Sequence, residues 1–328
     1  MRRSASPLSL TLLGIGVFLL VLAPMLAWYV KPRAAVNPID IDAVSVSEGM
    51  GSYFDVGEAE TLDDRRITAT QRVRGDVAAS KESGKAVWDV VTTVDTDKSL
   101  PAADPHDALK FDQARWVTDR RTNRPAHCCE EEPYHEGEAY LKFPFGVEKR
   151  TYQWWDATLG STVALSYAGR EKVQGYEGYA FTGAVPPTKV GTRQVPGVLV
   201  GLRTAPQVLA EEWYSNRGIR LVVDQVTGRV LKARIGPRQA LRAPDSAKDA
   251  VVLLDVPALT HTTATQKAAV EKAKADGAKL RALGTTVPVG AGAVGFLLAA
   301  VGAALLVRGR RPDAPEPATG TPVPQMVG

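Results

Sequence analysis

Two long apolar runs frame the chain. Residues 8–30 (LSLTLLGIGVFLLVLAPMLAWYV) and 287–307 (VPVGAGAVGFLLAAVGAALLV) contain no charged side chain. Each run exceeds the roughly 20 residues that a helix needs to cross the hydrocarbon core of a bilayer. No comparable run lies between them. The pattern therefore predicts one transmembrane helix near each end of the chain.

The long segment between the two runs alternates apolar with polar residues, the pattern of half-buried strands. The clearest stretches are 66–77, 86–94, 139–148, 161–167, 178–184 and 219–235. Clusters of Gly, Pro and Asn separate them, as turns separate strands. An Ala- and Lys-rich stretch at 263–283 instead has good helix propensity, interrupted by Gly277. We expect a mainly β (α+β) extracytoplasmic domain flanked by N- and C-terminal single transmembrane helices.

The cations beside the apolar runs predict the orientation of the chain. Arg2 and Arg3 precede the first run, and the second is followed by Arg308, Arg310 and Arg311. Lys31 and Arg33 after the first run weaken the contrast. The positive-inside rule then places both termini in the cytoplasm and the middle outside, in an inner (plasma) membrane protein.

A cleaved signal peptide is the alternative interpretation of the first run. Its length exceeds the roughly 7–15 apolar residues of a typical signal peptide. It also ends in Trp28 and Tyr29, with Lys31 following, which is typical of a membrane anchor at the interface. We favour an uncleaved anchor.

These patterns divide the chain into six segments. They are a cytoplasmic N-terminus (1–7), transmembrane helix 1 (8–30), a β-rich extracytoplasmic domain (31–262), a juxtamembrane helix (263–286), transmembrane helix 2 (287–307) and a disordered cytoplasmic tail (308–328).

Small residues in the two spans predict how the helices associate. Ala291, Gly295, Ala299 and Ala303 recur every four residues in the second span, and the first span offers Gly14 and Gly16. Small side chains let two helix backbones approach closely. We expect the spans to pack on each other, with a homo-oligomeric contact as the alternative. Neither span carries an ionisable side chain, which disfavours an ion pathway through them.

A short motif, V-x-D-x-x-T-[N/G]-R, occurs at 117–124 and again at 222–229. It predicts two structural turns, in which an aspartate caps the backbone and Asn or Gly takes the left-handed position. The turn residues are Asp119, Thr122 and Asn123, then Asp224, Thr227 and Gly228. Two independent hairpins and a duplicated structural unit both fit the motif.

Composition narrows the range of functions. The net charge is +4, with no basic stripe of the kind that nucleic-acid binding needs. The chain has no G-x-S-x-G, H-E-x-x-H or P-loop motif, and no motif indicates a cofactor. Whether the protein is an enzyme stays uncertain, and a binding role is favoured.

The only two cysteines, Cys128 and Cys129, are adjacent. In an oxidising compartment they can form a vicinal disulfide, although neighbouring Cα atoms lie about 3.8 Å apart, below the usual range for a bridge. Free thiols and an intermolecular bridge are alternatives. A metal site formed with His127 and His135 is a weak candidate, because adjacent thiolates diverge.

An aromatic-rich stretch supplies the candidate ligand site. Its residues are Phe143, Phe145, Lys149, Tyr152, Trp154, Trp155, Asp156 and Tyr179. Rings at this density fit a β core. They also fit a cleft for a lipid or glycan, with the lysine and the aspartate at its rim.

Several of these residues give the chain a resemblance to a known family. They are Asp119-Arg120 with Thr122, Cys128-Cys129, Phe143-Pro144-Phe145, Glu148-Lys149 with Tyr152, Trp155-Asp156 and the turn at 222–228. The chain resembles an actinobacterial family of two-span membrane proteins of unknown function, labelled "porin PorA family". The resemblance covers nearly the whole chain and implies an inner-membrane protein that faces the cell wall, with a role in envelope or lipoglycan assembly.

We therefore expect an envelope protein that binds or scaffolds a membrane lipid or lipoglycan, with envelope-assembly enzymes as possible partners. An exported hydrolase or transferase and a structural oligomer are the alternatives. Two wholly apolar helices line no aqueous path, so a true porin is not expected.

Overall fold

The computed structural model describes residues 7–101 and 104–308, which form two compact units. One unit contains the two apolar helices, and the other, the body, is Pro32–Leu280. The predicted N-terminal segment, apart from Pro7, and the predicted tail, apart from Arg308, lie outside the described residues.

The elements follow the predicted order, with helices at both ends and strands between them. The helices are α1 (Pro7–Pro24), α2 (Lys31–Ala34), α3 (Val77–Ser83), α4 (Thr263–Arg281) and α5 (Val287–Arg308). Single π-helical turns, Met25–Val30 and Ala282–Thr286, follow α1 and α4. The strands are β1 (Asp42–Asp55), β2 (Glu60–Gly75), β3 (Ala86–Asp95), β4 (Lys110–Thr118), β5 (Tyr152–Asp156), β6 (Ser161–Val173), β7 (Tyr176–Pro196), β8 (Gln207–Val223), β9 (Val230–Ile235), β10 (Pro237–Arg242), β11 (Val251–Asp255) and β12 (Leu259–His261).

The helical unit consists of α1 packed against α5. Both belong to helices that are long and apolar enough to cross a membrane, Pro7–Ala34 and Thr263–Arg308. At Gly16 an added Cβ would lie 2.7 Å from the carbonyl oxygen of Gly295, and at Gly302 it would lie 2.7 Å from the backbone nitrogen of Leu13. Glycine is required at these positions because the two backbones touch.

Only some residues of the predicted small-residue stripe lie in the contact between α1 and α5. Gly295 is buried in it, but Ala303 is exposed and Gly302 takes the place predicted for it. Gly14 meets open space, whereas Gly16 lies in the contact. The reason is that an α-helix repeats every 3.6 residues, so that a strict four-residue spacing drifts off one face. Ala291 and Ala299 are half-buried.

The body is built on one antiparallel sheet. Its strand order is β4-β3-β2-β1-β11-β10-β8-β7-β6-β5, with β12 and β9 paired between β1 and β8. Because β9 continues into β10 and β11 into β12, these four short strands fill two positions of the sheet. The segment Val230–His261, which contains β9 to β12, therefore lies between two four-stranded meanders, β1–β4 and β5–β8.

The two meanders have the same turns in the same places. Asp55 ends β1 and Asp156 ends β5, whereas Asp119 directly follows β4 and Asp224 directly follows β8. Each carboxylate accepts a hydrogen bond from the backbone N–H three residues later, at 2.8–3.1 Å. The residue after that is left-handed in all four turns: Ala59, Asn123, Gly160 and Gly228. This is the arrangement expected of a duplicated unit.

Residues 125–140, the closing segment, join the two edges of the sheet. Beyond the Asp119 turn the chain returns along β4, where Arg115 and Glu132 exchange two backbone hydrogen bonds of 2.6 and 3.0 Å. It then reaches β5, where the backbone N–H of Trp155 donates to Ala139 at 3.0 Å. Trp116 of β4 and Trp155 of β5 also lie edge to face, with ring centroids 6.2 Å apart. The sheet is thus curled on itself, and inward side chains fill its interior.

Two predicted segments differ in the structure. The stretch 139–148 is not a strand, because it crosses the ends of the Asp119 and Asp224 turns and makes only isolated bridges. The strand expected to reach Val77 ends at Gly75, and α3 begins at Val77. Asp76 caps α3 by accepting from the N–H of Ala79 at 3.0 Å, and this cap stops the strand.

Candidate functional site

The two predicted turns lie side by side and are held together by residues 142–147. Asn123 donates through its side chain to the carbonyl of Lys142 at 2.8 Å, and Phe143 donates to the carbonyl of Gly228 at 2.7 Å. Gly228 must be glycine, because an added Cβ would lie 2.5 Å from the carbonyl oxygen of Pro144 and its φ is +73°. We call the end of the body that carries these turns the proximal end, because the chain enters the body there.

Hydrogen bonds from the turns' own backbone stabilise the carboxylates. Asp119 accepts from the N–H groups of Arg121 and Thr122, each at 3.0 Å, and these bonds lower the pKa of Asp119 to about 2. Asp224 accepts from the N–H of Thr227 at 2.8 Å and from its hydroxyl at 2.6 Å. Both aspartates are structural, which makes each turn rigid.

At the proximal end the chain also enters the body, through a fully buried Asn37. Its side chain donates to the Asn123 side chain at 2.9 Å and accepts from the Lys142 ammonium at 2.7 Å. Its backbone N–H donates to the carbonyl of Arg120 at 2.6 Å, and the guanidinium of Arg120 donates back to its carbonyl at 2.9 Å. All four polar groups of Asn37 are therefore bonded to the body.

Lys142 is a cation with few charged partners. Its Nζ lies 3.7 Å from the ring centroid of Phe145, and the nearest neutral acceptor is Asn37. Burial, together with the positive charge of Arg229, lowers the pKa of Lys142 to about 7. Sequence reasoning overlooked Lys142, and the only signal was its position beside the Phe-Pro-Phe sequence.

Cys128 and Cys129 form a vicinal disulfide in the closing segment. Cys128 is exposed and Cys129 half-buried. The carbonyl oxygen of Cys129 accepts from the Arg115 guanidinium at 2.9 Å, and that guanidinium also pairs with Asp89 at 2.8 Å. The disulfide therefore lies directly over the β4 edge of the sheet.

The histidines of the weak metal candidate bind a carboxylate instead. Glu131, with a side chain only 5% exposed, pairs with the Nδ1 of His127 at 2.8 Å and with the Nδ1 of His135. The two imidazole rings are 6.5 Å apart, and the sulfurs are bonded to each other. A disulfide supplies no thiolate ligand, so these four residues do not form a zinc site. Burial lowers the pKa of His135 to about 4.

Most of the aromatic residues predicted to line a cleft lie in the core. Phe143, Tyr152 and Trp155 are at most 4% exposed. Phe143 contacts Tyr152 edge to face at 5.1 Å and Trp154 at 5.5 Å, because inward positions of β5 and the segment before it meet there. Phe143, Tyr152 and Trp154 thus share one part of the core, whereas Trp155 faces the other side of β5 and packs on Trp116.

The other residues of that prediction are dispersed. Phe145 lies under Lys142, and Asp156 caps its turn and accepts from the Tyr214 hydroxyl at 2.9 Å. Lys149 is exposed, with its Nζ 5.7 Å from the ring centroid of the half-buried Tyr179. The structure does not bring these residues to one opening.

An open cleft of about 440 Å³ lies elsewhere, between β6 and β7. Pairing between these strands stops at Ser166 and Thr182, and β7 bulges around Val185. The cleft is lined by residues such as Leu159 and Thr188, and by none of the eight predicted ligand residues.

The distal end of the body, opposite the two structural turns, exposes several aliphatic side chains. It consists of the turn 55–59, the loop after β3 and the β7–β8 hairpin tip at 197–206. The exposed residues are Val56 (83%), Leu100 (50%), Val198 (63%) and Leu202 (40%). Lys98 joins the loop to the turn by a 2.8 Å bond to Asp55, and Phe54 packs in the hydrophobic cluster of the hairpin. No sequence pattern marked these residues, because they come from three separate loops.

Strand β2 has a polar outer face. On β2, Arg66, Arg72 and Arg74 are exposed, whereas Ile67 and Val73 are buried. A strand that faces lipid in a membrane barrel has the reverse polarity, with apolar residues outside. The membrane candidates of the described chain are the two apolar helices.

Comparison with known proteins agrees with the fold. The porin PorA family matches residues 8–304, which include both apolar helices and the whole body. No curated protein matches the chain. Since the family covers nearly the full length, the chain belongs to the porin PorA family.

Proposed function

We propose that this protein is held in the plasma membrane by both terminal helices and that its body, outside the cytoplasm, binds a neutral envelope lipid or lipoglycan at the distal end. The observation that carries the proposal is the group of exposed aliphatic side chains on the three distal loops. Contiguous exposed apolar side chains on a water-exposed domain mark a surface for a partner or a lipid.

The two structural turns at the proximal end of the body do not expose such aliphatic side chains. The exposed residues of the Asp119 turn, Arg121, Thr122 and Arg124, are polar, and the Asp224 turn is buried or half-buried. Val198 and Leu202 project from a tip that Gly201, with φ +81°, turns sharply. A few aliphatic side chains on a rigid tip offer far less area than the roughly 800 Å² per partner of a stable protein interface. The acyl chains of a lipid can cover an apolar surface of this smaller size.

The charges around the distal end favour a neutral ligand. Glu58, with a side chain 51% exposed, and Asp97, at 47%, lie among the aliphatic residues in ion pairs with Lys98 and Arg65, and Asp63 and Asp64 are exposed nearby. Paired charges attract an ionic headgroup only weakly, whereas carboxylates still accept hydrogen bonds from sugar hydroxyls. The surface thus suits a glycosylated lipid better than an acidic phospholipid.

The orientation rests on two independent features. Arg308 ends the second helix, as expected for a cytoplasmic flank. The disulfide of the body also fits a compartment that is more oxidising than the cytoplasm. Both support a body that faces the envelope.

The proposal is tested by vesicle flotation with the full chain held in nanodiscs. Vesicles of phosphatidylcholine are compared with vesicles that also contain a digalactosyl lipid or phosphatidylglycerol. We expect the protein to float with the galactolipid vesicles. The double variant Val198→Asp and Leu202→Asp should bind about 30-fold more weakly, since burying the exposed parts of both side chains contributes about 2 kcal/mol.

Val44→Asp is the matched control, because Val44 is a 57% exposed aliphatic residue on β1 near the proximal end. It should float as the wild type does. Equal flotation of the tip variant and the wild type, or preference for phosphatidylglycerol, would contradict the proposal.

A further inference from the structure

The vicinal disulfide sits where the two edges of the sheet meet. The closing segment is the only part of the described body that is bonded to both β4 and β5 along their outer edges. Cys128 and Cys129 lie in its first half, with Cys128 exposed to solvent. A reagent can therefore reach this bond without unfolding of the body.

The backbone around the disulfide has an unusual conformation. Cys129 and Glu130 are both left-handed, each with φ +62°. Such a conformation costs an ordinary residue roughly 1–2 kcal/mol, and two in a row need an external constraint. The covalent ring of the two cysteines supplies that constraint for Cys129.

Two interactions depend on this conformation. It directs the carbonyl oxygen of Cys129 towards the Arg115 guanidinium, at 2.9 Å. Together with the left-handed Glu130 it also turns Glu131 inward, where its carboxylate pairs with the buried His135. His135 packs against Trp116 of β4 with ring centroids 4.2 Å apart. The disulfide is thus connected through two short paths to the edge strand.

We propose that Cys128–Cys129 is a redox-sensitive latch that keeps the β4–β5 seam closed and is opened by a dithiol reductant, such as a protein with two neighbouring cysteines. A thiolate of the reductant attacks Sγ of Cys128, the more exposed residue of the pair, and Sγ of Cys129 leaves as a thiolate and takes a proton. The second thiol of the reductant then attacks the mixed disulfide and releases Cys128. The reductant becomes a disulfide, and the latch gains two electrons and two protons.

Reduction removes the constraint on Cys129. The backbone can then return to negative φ, which withdraws its carbonyl from Arg115 and Glu131 from His135. His135 then stays buried without its carboxylate partner, and Arg115 loses one acceptor. Both losses weaken the packing of the closing segment on Trp116. Local opening of the seam follows, while the rest of the sheet keeps its pairing.

The test uses the full chain in detergent micelles, before and after incubation with dithiothreitol under native conditions. Thiols are counted by alkylation and mass spectrometry, and hydrogen exchange is followed by peptide. We expect two thiols per chain and at least tenfold faster exchange in residues 110–118, 125–140 and 152–156. Exchange in β10 and β11 should not change, and reoxidation should restore protection.

The double variant Cys128→Ser and Cys129→Ser should exchange as the reduced protein does and should not respond to dithiothreitol. The wild-type comparison does not depend on how well this variant folds. Failure to generate thiols under native conditions would overturn the proposal. So would two thiols without faster exchange at the seam, or an equal change in β10 and β11.

Discussion

Replacing Lys142 by methionine tests the electrostatics of the proximal end. In the native protein Lys142 is half-buried, with Asn37 as the acceptor of its ammonium group and the Phe145 ring beneath it. Burial and the charge of Arg229 lower its pKa from 10.5 to about 7. Methionine has nearly the same length and no charge, so the variant removes the cost of keeping an ammonium in this position.

The size of the effect follows from the pKa. A shift of this size corresponds to about 5 kcal/mol at 1.4 kcal/mol per unit, and partial exposure reduces it to about 3 kcal/mol. The folded protein binds fewer protons than the unfolded chain between pH 7 and 10.5. Wild-type stability relative to the variant is therefore lowest below pH 7 and rises as the pH approaches 10.5.

Loss of the bond to Asn37 opposes this gain and costs about 1 kcal/mol at any pH. We expect Lys142→Met to be more stable than the wild type by about 2 kcal/mol at pH 6 and less stable by about 1 kcal/mol at pH 10.5. The measurement is urea unfolding in detergent, followed by near-UV circular dichroism at a series of pH values. Because both proteins share every other titrating group, the difference isolates Lys142.

Lys172→Met, at an exposed position of β6, is the control for removing a surface lysine. A stability difference for Lys142→Met that stays constant from pH 6 to 10.5 would refute this interpretation. The ammonium would then be as well solvated in the folded protein as in the unfolded chain.

Three other substitutions test the turns and the helix pair. Gly228→Ala should destabilise the body by about 3 kcal/mol in urea unfolding, because its Cβ would collide with two carbonyl oxygens, whereas Gly175→Ala, with φ +77° and open space around it, should cost about 1 kcal/mol. Asp119→Ala should cost about 1 kcal/mol above pH 4. That difference should vanish as the pH falls towards 2, since the lowered pKa of Asp119 stabilises the folded state only while the carboxylate is charged. Gly295→Leu should abolish disulfide crosslinking between cysteines placed on α1 and α5, because the backbone of Gly16 occupies the space that the new side chain needs.

The sequence predicted the elements whose signals are local. Twenty apolar residues without a charge, alternation along β2 and the Asp-Thr-Gly turn at 224–228 each depend on residues that are close in the chain. The Asp55 and Asp156 turns were overlooked because their sequences, DVGEA and DATLG, lack the threonine of the recognised motif at its position, and only the second has the glycine. Their common geometry is visible only from the hydrogen bonds and the left-handed fourth residue.

The candidate site was harder to predict because it depends on which positions face inward. The aromatic stretch was compatible with a core or with a cleft, and the register of β5 against β6, Tyr152 opposite Leu165, decides in favour of the core for Tyr152. The distal aliphatic residues come from loops far apart in the chain. Only the curl of the sheet brings them to one end, and no pattern within a short window contains that information.

The two meanders differ in the segment that follows each of them, and this difference explains why the sheet closes through an irregular segment. In the second meander the chain leaves the Asp224 turn and pairs with β8 as the regular strand β9, with Ala233 opposite Leu221. In the first meander it leaves the Asp119 turn and returns along β4 in the same direction, but Pro125, Pro133 and the left-handed Cys129 prevent continuous pairing. The closing segment thus occupies beside β4 the position that β9 occupies beside β8. Its irregular backbone accommodates the left-handed Cys129 of the disulfide, which a regular strand could not.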